Sequence, residues 1–144
     1  LLFRESLMAH AEELGIRIVE SSKHAFDQFD AADFVRNVFC AGDRPTAIIN
    51  QASANVLNQV LQEMQAVGLS VPGDVSVLSC GTYFEGELMT QPITEMPVMP
   101  QELCSKAVGL LVDAIERYVD IKGVVELSKP VMRRRGSVAE VGVG

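Results

Sequence analysis

At 144 residues, with 48% apolar and 22% charged, the chain has the composition of one packed domain and is neither disordered nor low-complexity. A formal charge of -7 argues against a nucleic-acid face, which needs concentrated basic residues, and no apolar run approaches the length of a membrane span. Cys40, Cys80 and Cys104 stand far apart with no CxxC pair, which suggests neither a disulfide framework nor a zinc site and suits a reducing, cytoplasmic compartment.

The first apolar stripe, Leu2 or Phe3 with Leu7, Ala11 and Leu14, predicts a helix that stops at Gly15. The chain opens inside this helical pattern with no initiator methionine, so the expectation is that its natural start lies upstream. Ile16 to Glu20 reads as a strand. Ser21 and Ser22 open a loop toward a second helix over about Asp27 to Cys40, with Val35, Val38 and Phe39 inward and Asp27 and Asp30 near its positive end.

The most regular stretch runs from Arg44 to Thr82 and reads as strand, helix, strand. Thr46 to Asn50 and Val75 to Ser79 are short apolar runs suited to buried parallel strands. Leu57, Val60, Leu61, Met64 and Val67 mark one face of the helix between them. Ser53 is its expected N-cap, Gly68 suits the left-handed position after it, and Pro72 prevents its resumption. A parallel pair needs such a crossover, and function in these sheets gathers at the carboxyl ends of the strands. Those ends are Asn50 to Ser53 and Ser79 to Tyr83.

Tyr83 to Gln91 reads as a loop or short helix, and Ile93 to Val98 as a strand restricted by Pro97 to an edge or crossover position. Pro100 suits a first helical turn, and Leu103, Ala107, Leu110, Leu111, Ala114 and Tyr118 supply the stripe of a helix ending near Val119. Val124 to Leu127 and Val131 to Arg135 are short strand candidates, and Ala139 to Gly144 a frayed tail. The element order predicts an α/β fold, a doubly wound and mostly parallel sheet incomplete at its N-terminus.

Catalytic chemistry is hard to find. His10 and His24 lack partners at metal or triad spacing and read as surface residues. There is no GxSxG, GxGxxG or P-loop pattern, and no cofactor is expected. Met89, Met96 and Met99 read as adaptable core or interface residues, and Cys80 as a buried, inert thiol. Arg133, Arg134 and Arg135 cannot share one strand face, so an ion-pair or guarded-edge role fits them better than DNA contact. An α/β enzyme would need a convergent site that these residues do not supply.

Arg44-Pro45-Thr46-Ala47-Ile48, the turn from Gly68 to Val77, Pro92-Ile93-Thr94 with the helix over Glu102 to Glu116, and the closing Arg135-Gly136-Ser137 together resemble the effector-binding core of lactose-repressor-type transcription regulators. The likeness covers nearly the whole chain. It implies a periplasmic-binding-protein-like lobe in which a small molecule binds between two lobes and biases DNA affinity. Residues 1–144 would then be the C-terminal portion of that core, with about 98–119 crossing to the other lobe and operator DNA contacted only through a separate N-terminal segment.

The family's Asn-Asp after the first strand is replaced here by Ala52 and Ser53, and its Asp pair after the second by Gly81 and Thr82. The resemblance therefore implies a wall of Gln51, Ala52, Ser53, Gly81 and Thr82, with Phe26 either as an apolar face or as a core residue. Such a wall would either suit an effector poorer in hydroxyls than a typical hexose or belong to a lobe that has lost binding. The family also forms homodimers through this lobe, which implies a partner surface containing Leu57, Tyr83, Phe84, Leu88 and Met89. The alternative is a transporter's solute-binding protein, which shares the two-lobed architecture but carries a secretory signal where a regulator carries a helix-turn-helix.

Overall fold

The computed structural model describes residues 2–20, 29–97, 99–117 and 130–140. It contains two compact units, Leu1–Pro45 and Thr46–Gly144.

In the first unit, α1 (Leu2–Glu13) ends at Gly15, whose φ of +66° is a backbone state that favours glycine. The turn closes through Gly15 N–H donating to Glu12 O at 3.1 Å and Ile16 N–H to Ala11 O at 2.8 Å. The expected strand from Ile16 to Glu20 does not form, and Ile16 and Val19 are exposed. A short apolar run becomes a strand only against a pairing edge, and its local pattern does not say where that edge is. Ion pairs hold this segment instead, Arg4 with Glu20 at 2.5 Å and Arg17 with Asp43 at 2.9 Å.

The second helix of this unit, α2 (Ala31–Phe39), starts where Asp30 Oδ1 accepts from Asp33 N–H at 2.9 Å. Its Val35 and Phe39 are buried as expected, while Val38 is half-buried. Phe34 meets Phe29 and Phe39 at ring-centroid distances of 5.6 and 5.8 Å. The anticipated start near Asp27 lies outside the described residues, as do Phe26 and His24.

In the second unit, β1 (Ala47–Asn50), β2 (Ser76–Ser79) and β3 (Thr94–Glu95) form a parallel sheet in the order β1-β2-β3. The crossover helix α3 (Ala54–Ala66) has Ser53 as N-cap and Gly68 beyond its end at φ +82°, both as the sequence predicts. Its Leu57, Val60, Leu61 and Met64 are buried, and Leu57 and Leu61 pack with Val77, Met89 and Ile93 into one cluster. Val67, expected on the same stripe, is the C-cap and faces solvent because the helix has ended.

The third strand is shorter than predicted, since Pro97 can donate no ladder hydrogen bond. The anticipated strand over Val131 to Arg135 reduces to one antiparallel bridge, Glu95 with Arg133. Tyr83 to Gln91 is a loop with turns. The last helix, α4 (Pro100–Arg117), begins at Pro100 as expected but buries none of its side chains. No described helix is long and apolar enough to cross a membrane.

Candidate functional site at the strand tips

The register pairs Asn50 with Ser79, so both strands end at the same level. Cys80 N–H donates to Asn50 O at 2.7 Å, which carries the pairing one step past the ladder. Beyond it the two loops touch. A Cβ placed on Gly81 would lie 2.5 Å from the carbonyl oxygens of both Gln51 and Ala52, a space that only glycine fits.

Much of the polar chemistry at these tips is already engaged. Asn50 is buried; its Nδ2 donates to Ala52 O at 2.9 Å and to Ser79 Oγ at 3.0 Å, and its Oδ1 accepts from Ala52 N–H at 3.1 Å. Ser53 Oγ accepts from Val56 N–H at 3.5 Å as the helix cap. Thr82 is fully buried, and its hydroxyl donates to Glu95 Oε2 at 2.7 Å. Gln51 is an exposed side chain at this end of the sheet. Burial pushes the half-exposed Cys80 thiol up from its ordinary pKa, which keeps it protonated and a poor nucleophile.

Of the expected wall, Gln51, Ala52, Ser53, Gly81 and Thr82 therefore come together at one end of the sheet, while Phe26 lies outside the described residues. Thr82 reaches inward and not toward solvent. Two residues anticipated at a partner surface require correction: Leu57 is 1% exposed and Met89 is 9% exposed, and both belong to the core cluster under α3. Their side chains are consumed by packing within this lobe. Tyr83 at 57% and Leu88 at 85% are exposed, and Phe84 lies half-buried with Arg133 stacked over its ring at 4.3 Å.

The residue that the sequence reading passed over is Glu95. It is fully buried on β3, and Oε2 accepts both the Thr82 hydroxyl and Gly86 N–H, the latter at 3.1 Å. Its Oε1 lies 2.9 Å from Arg135 Nη1 without hydrogen-bond alignment, because Nη1 donates to Ile93 O at 2.7 Å. Burial pushes the carboxyl pKa up, but the hydrogen bonds from Thr82 and Gly86 and the adjacent Arg135 guanidinium outweigh it and hold the pKa below the ordinary carboxylate value. A lone acid in the apolar run Pro92 to Pro97 was the available signal.

Closing Arg135-Gly136-Ser137 completes the same region. Ser137 Oγ donates to Val77 O and accepts from Thr94 N–H, each at 2.7 Å, while Val77 N–H donates to Ser137 O at 2.7 Å. The arginine cluster thus divides into an ion pair at Arg135 and a ring contact at Arg133.

Elsewhere, α1 and the residues after it border an open groove of about 570 Å³ that includes Arg4, Met8, Ile16 and Ile18. Among the described residues, no group of three or more histidines, cysteines or acids could hold a metal ion.

The sequence matches the family model of the periplasmic binding protein-like domain over residues 3–138. No curated protein sequence matches significantly. Among solved structures, a LacI family transcriptional regulator from Bifidobacterium animalis subsp. lactis superposes with a TM-score of 0.78 at 24% identity, over 96% of this chain and 50% of that one. An uncharacterized protein from Actinobacillus succinogenes gives 0.72 at 22% identity over 94% and 49%. A LacI family regulator from Arthrobacter sp. FB24, in complex with lactose, gives 0.65 at 22% identity over 94% and 50%. The chain spans about half the length of these proteins, and at such identities the likeness establishes the fold.

Proposed function

This chain belongs to the periplasmic binding protein-like domain family, and on that footing we propose that it is the effector-sensing and self-associating part of a DNA-binding transcription regulator of lactose-repressor type. The observation that carries the reading is the meeting of the two strand tips, where Gly81 packs against the Gln51 and Ala52 carbonyls at the carboxyl end of a parallel sheet. Regulators of LacI type among the structural neighbours supply the class of protein. Operator contact would come from a segment outside these residues, consistent with the net charge of -7.

The effector acts by population shift: it favours whichever lobe arrangement it binds more tightly, and operator affinity follows that arrangement. The wall restricts what it can be. Sugar hydroxyls are held by carboxylates and amides, yet the tip positions carry Ala52, Ser53, Gly81 and Thr82. The buried Asn50 amide and the Thr82 hydroxyl are already engaged within the lobe. Each unsatisfied polar group on a buried ligand costs roughly 1–3 kcal/mol, so a fully hydroxylated pyranose fits poorly. The Arthrobacter regulator holds lactose, whereas this wall suits a ligand with fewer hydroxyls. Self-association uses the exposed Tyr83 and Leu88, with Phe84 beside them.

Calorimetric titration of the intact protein with a panel of hexoses, disaccharides and less hydroxylated small molecules tests the assignment. The expected result is no micromolar binding of an ordinary hexose and binding of a less hydroxylated compound that Gln51→Ala weakens. Micromolar hexose binding overturns the stated ligand class.

A further inference from the structure

We infer that Glu95 is a positioning residue that ties the ligand wall to the partner loop, so that a change at Thr82 is felt at Tyr83 and Leu88. The inference rests on the reading above and deepens it by naming a connection between its two surfaces. One carboxylate oxygen, Oε2, accepts from Thr82 Oγ1 at 2.7 Å and from Gly86 N–H at 3.1 Å, so both ends of the intervening loop hang from a single atom. The other oxygen faces Arg135 at 2.9 Å.

Backbone contacts tighten the same connection. Glu95 N–H donates to Arg133 O at 3.1 Å and Arg133 N–H to Glu95 O at 2.8 Å, and the Arg133 guanidinium covers the ring of Phe84. Phe84 itself has φ +63°, a left-handed conformation that an aromatic residue adopts only when its surroundings impose it. Gly86 O accepts from Ile93 N–H at 2.8 Å, and its backbone lies so close that a Cβ there would be 2.7 Å from Ile93 O and 2.9 Å from the Glu95 carboxylate. The loop is pinned at Thr82, Phe84 and Gly86, leaving Tyr83 and Leu88 projecting from a fixed base.

Shared acceptance at one buried oxygen gives the device its sensitivity. If the Thr82 hydroxyl turns toward a ligand, Oε2 loses one of two donors where no water replaces it. Glu95 then draws more on Gly86 and Arg135, and the loop between them shifts. Wall and partner surface are coupled through one acid and not through a chain of packed side chains.

The test compares the intact wild-type protein with Thr82→Val, Glu95→Gln and the double variant by amide hydrogen exchange and sedimentation equilibrium. Thr82→Val keeps the side-chain shape and guards against a Glu95 variant that fails to fold. Each single variant is expected to speed exchange of the Tyr83 to Leu88 amides roughly tenfold, the loss of about one hydrogen bond. Exchange in α3 should stay within about twofold, and self-association should weaken by roughly tenfold. The double variant should match Glu95→Gln, since both changes act on one acceptor. Unchanged loop exchange, or additive effects in the double variant, overturns the inference. A wild-type protein that stays monomeric removes the homodimer reading instead, and loop exchange then decides the role of Glu95.

Discussion

Glu95 shows how one residue sets the electrostatics of the whole C-terminal edge. An isolated buried carboxylate would neutralise itself, but two donors and a guanidinium reverse that tendency and hold its pKa below the ordinary carboxylate value. Its ionised form therefore stabilises the fold at every pH above its unfolded value, and that contribution is lost as pH falls through the depressed folded value. Glu95→Gln should lower stability at pH 7 by about 3 kcal/mol, the lower end for a broken buried pair, because the Arg135 side chain keeps some access to water. The gap should narrow as pH falls from the ordinary carboxylate range through the depressed folded value, at which the wild type also loses the charge. Urea unfolding across pH 7 to 3 measures this, and a gap that stays constant would place the stabilisation in packing instead. Gly81 and Gly86 matter at this scale through close approach, since both have φ outside the left-handed region yet lack room for a methyl group.

The elements differ in how far their sequences specify them. The helix α3 was legible because stripe, N-cap and C-terminal glycine agree, and burial of Leu57, Val60, Leu61 and Met64 follows from the stripe. Ile16 to Glu20 has an equally persuasive local pattern but forms no strand, because pairing is a property of two segments. The strand tips were legible for a related reason: a parallel crossover places both carboxyl ends together regardless of side-chain detail. The direction of Thr82 was not, since it depends on an acid 13 residues away. An apolar residue reads alike in a core and an interface, so nothing local in the sequence distinguishes Leu57 and Met89, which are buried, from Leu88, which is exposed.

Ser53 bears two proposed roles that a substitution separates. Its hydroxyl caps α3, and the 3.5 Å contact with Val56 N–H is long. Ser53→Ala should therefore cost about 0.5–1 kcal/mol, toward the low end for such caps, while Ser53→Asp restores the loss. Chemical denaturation measures both, and a neutral Ser53→Ala would show that the hydroxyl is not holding the helix start.

Across the whole molecule, the unevenness of burial is informative. The three-stranded sheet, α3 and the Arg135 to Ser137 segment share a dense polar and apolar interior, whereas α4 buries none of its side chains. Val108, Leu111, Val112 and Ile115 form a stripe at three- and four-residue steps and are all exposed. The sequence pattern points instead to Leu103, Ala107, Leu110, Leu111 and Ala114, of which Leu103, Leu110 and Ala114 are half-buried and only Leu111 lies on the exposed stripe, because an amphipathic pattern carries no information about what covers it. Ion pairs of Lys106 with Glu102 at 2.7 Å and Arg117 with Asp113 at 3.3 Å are surface pairs worth little to stability. Because the stripe supports nothing else within the lobe, Leu111→Lys and Ile115→Lys should leave the free energy of urea unfolding unchanged to within about 0.5 kcal/mol. They should also reduce binding of a hydrophobic dye to the 144-residue chain. A stability loss of about 2 kcal/mol or more, the size expected when a buried leucine is lost, would instead place this face in the core of the folded chain.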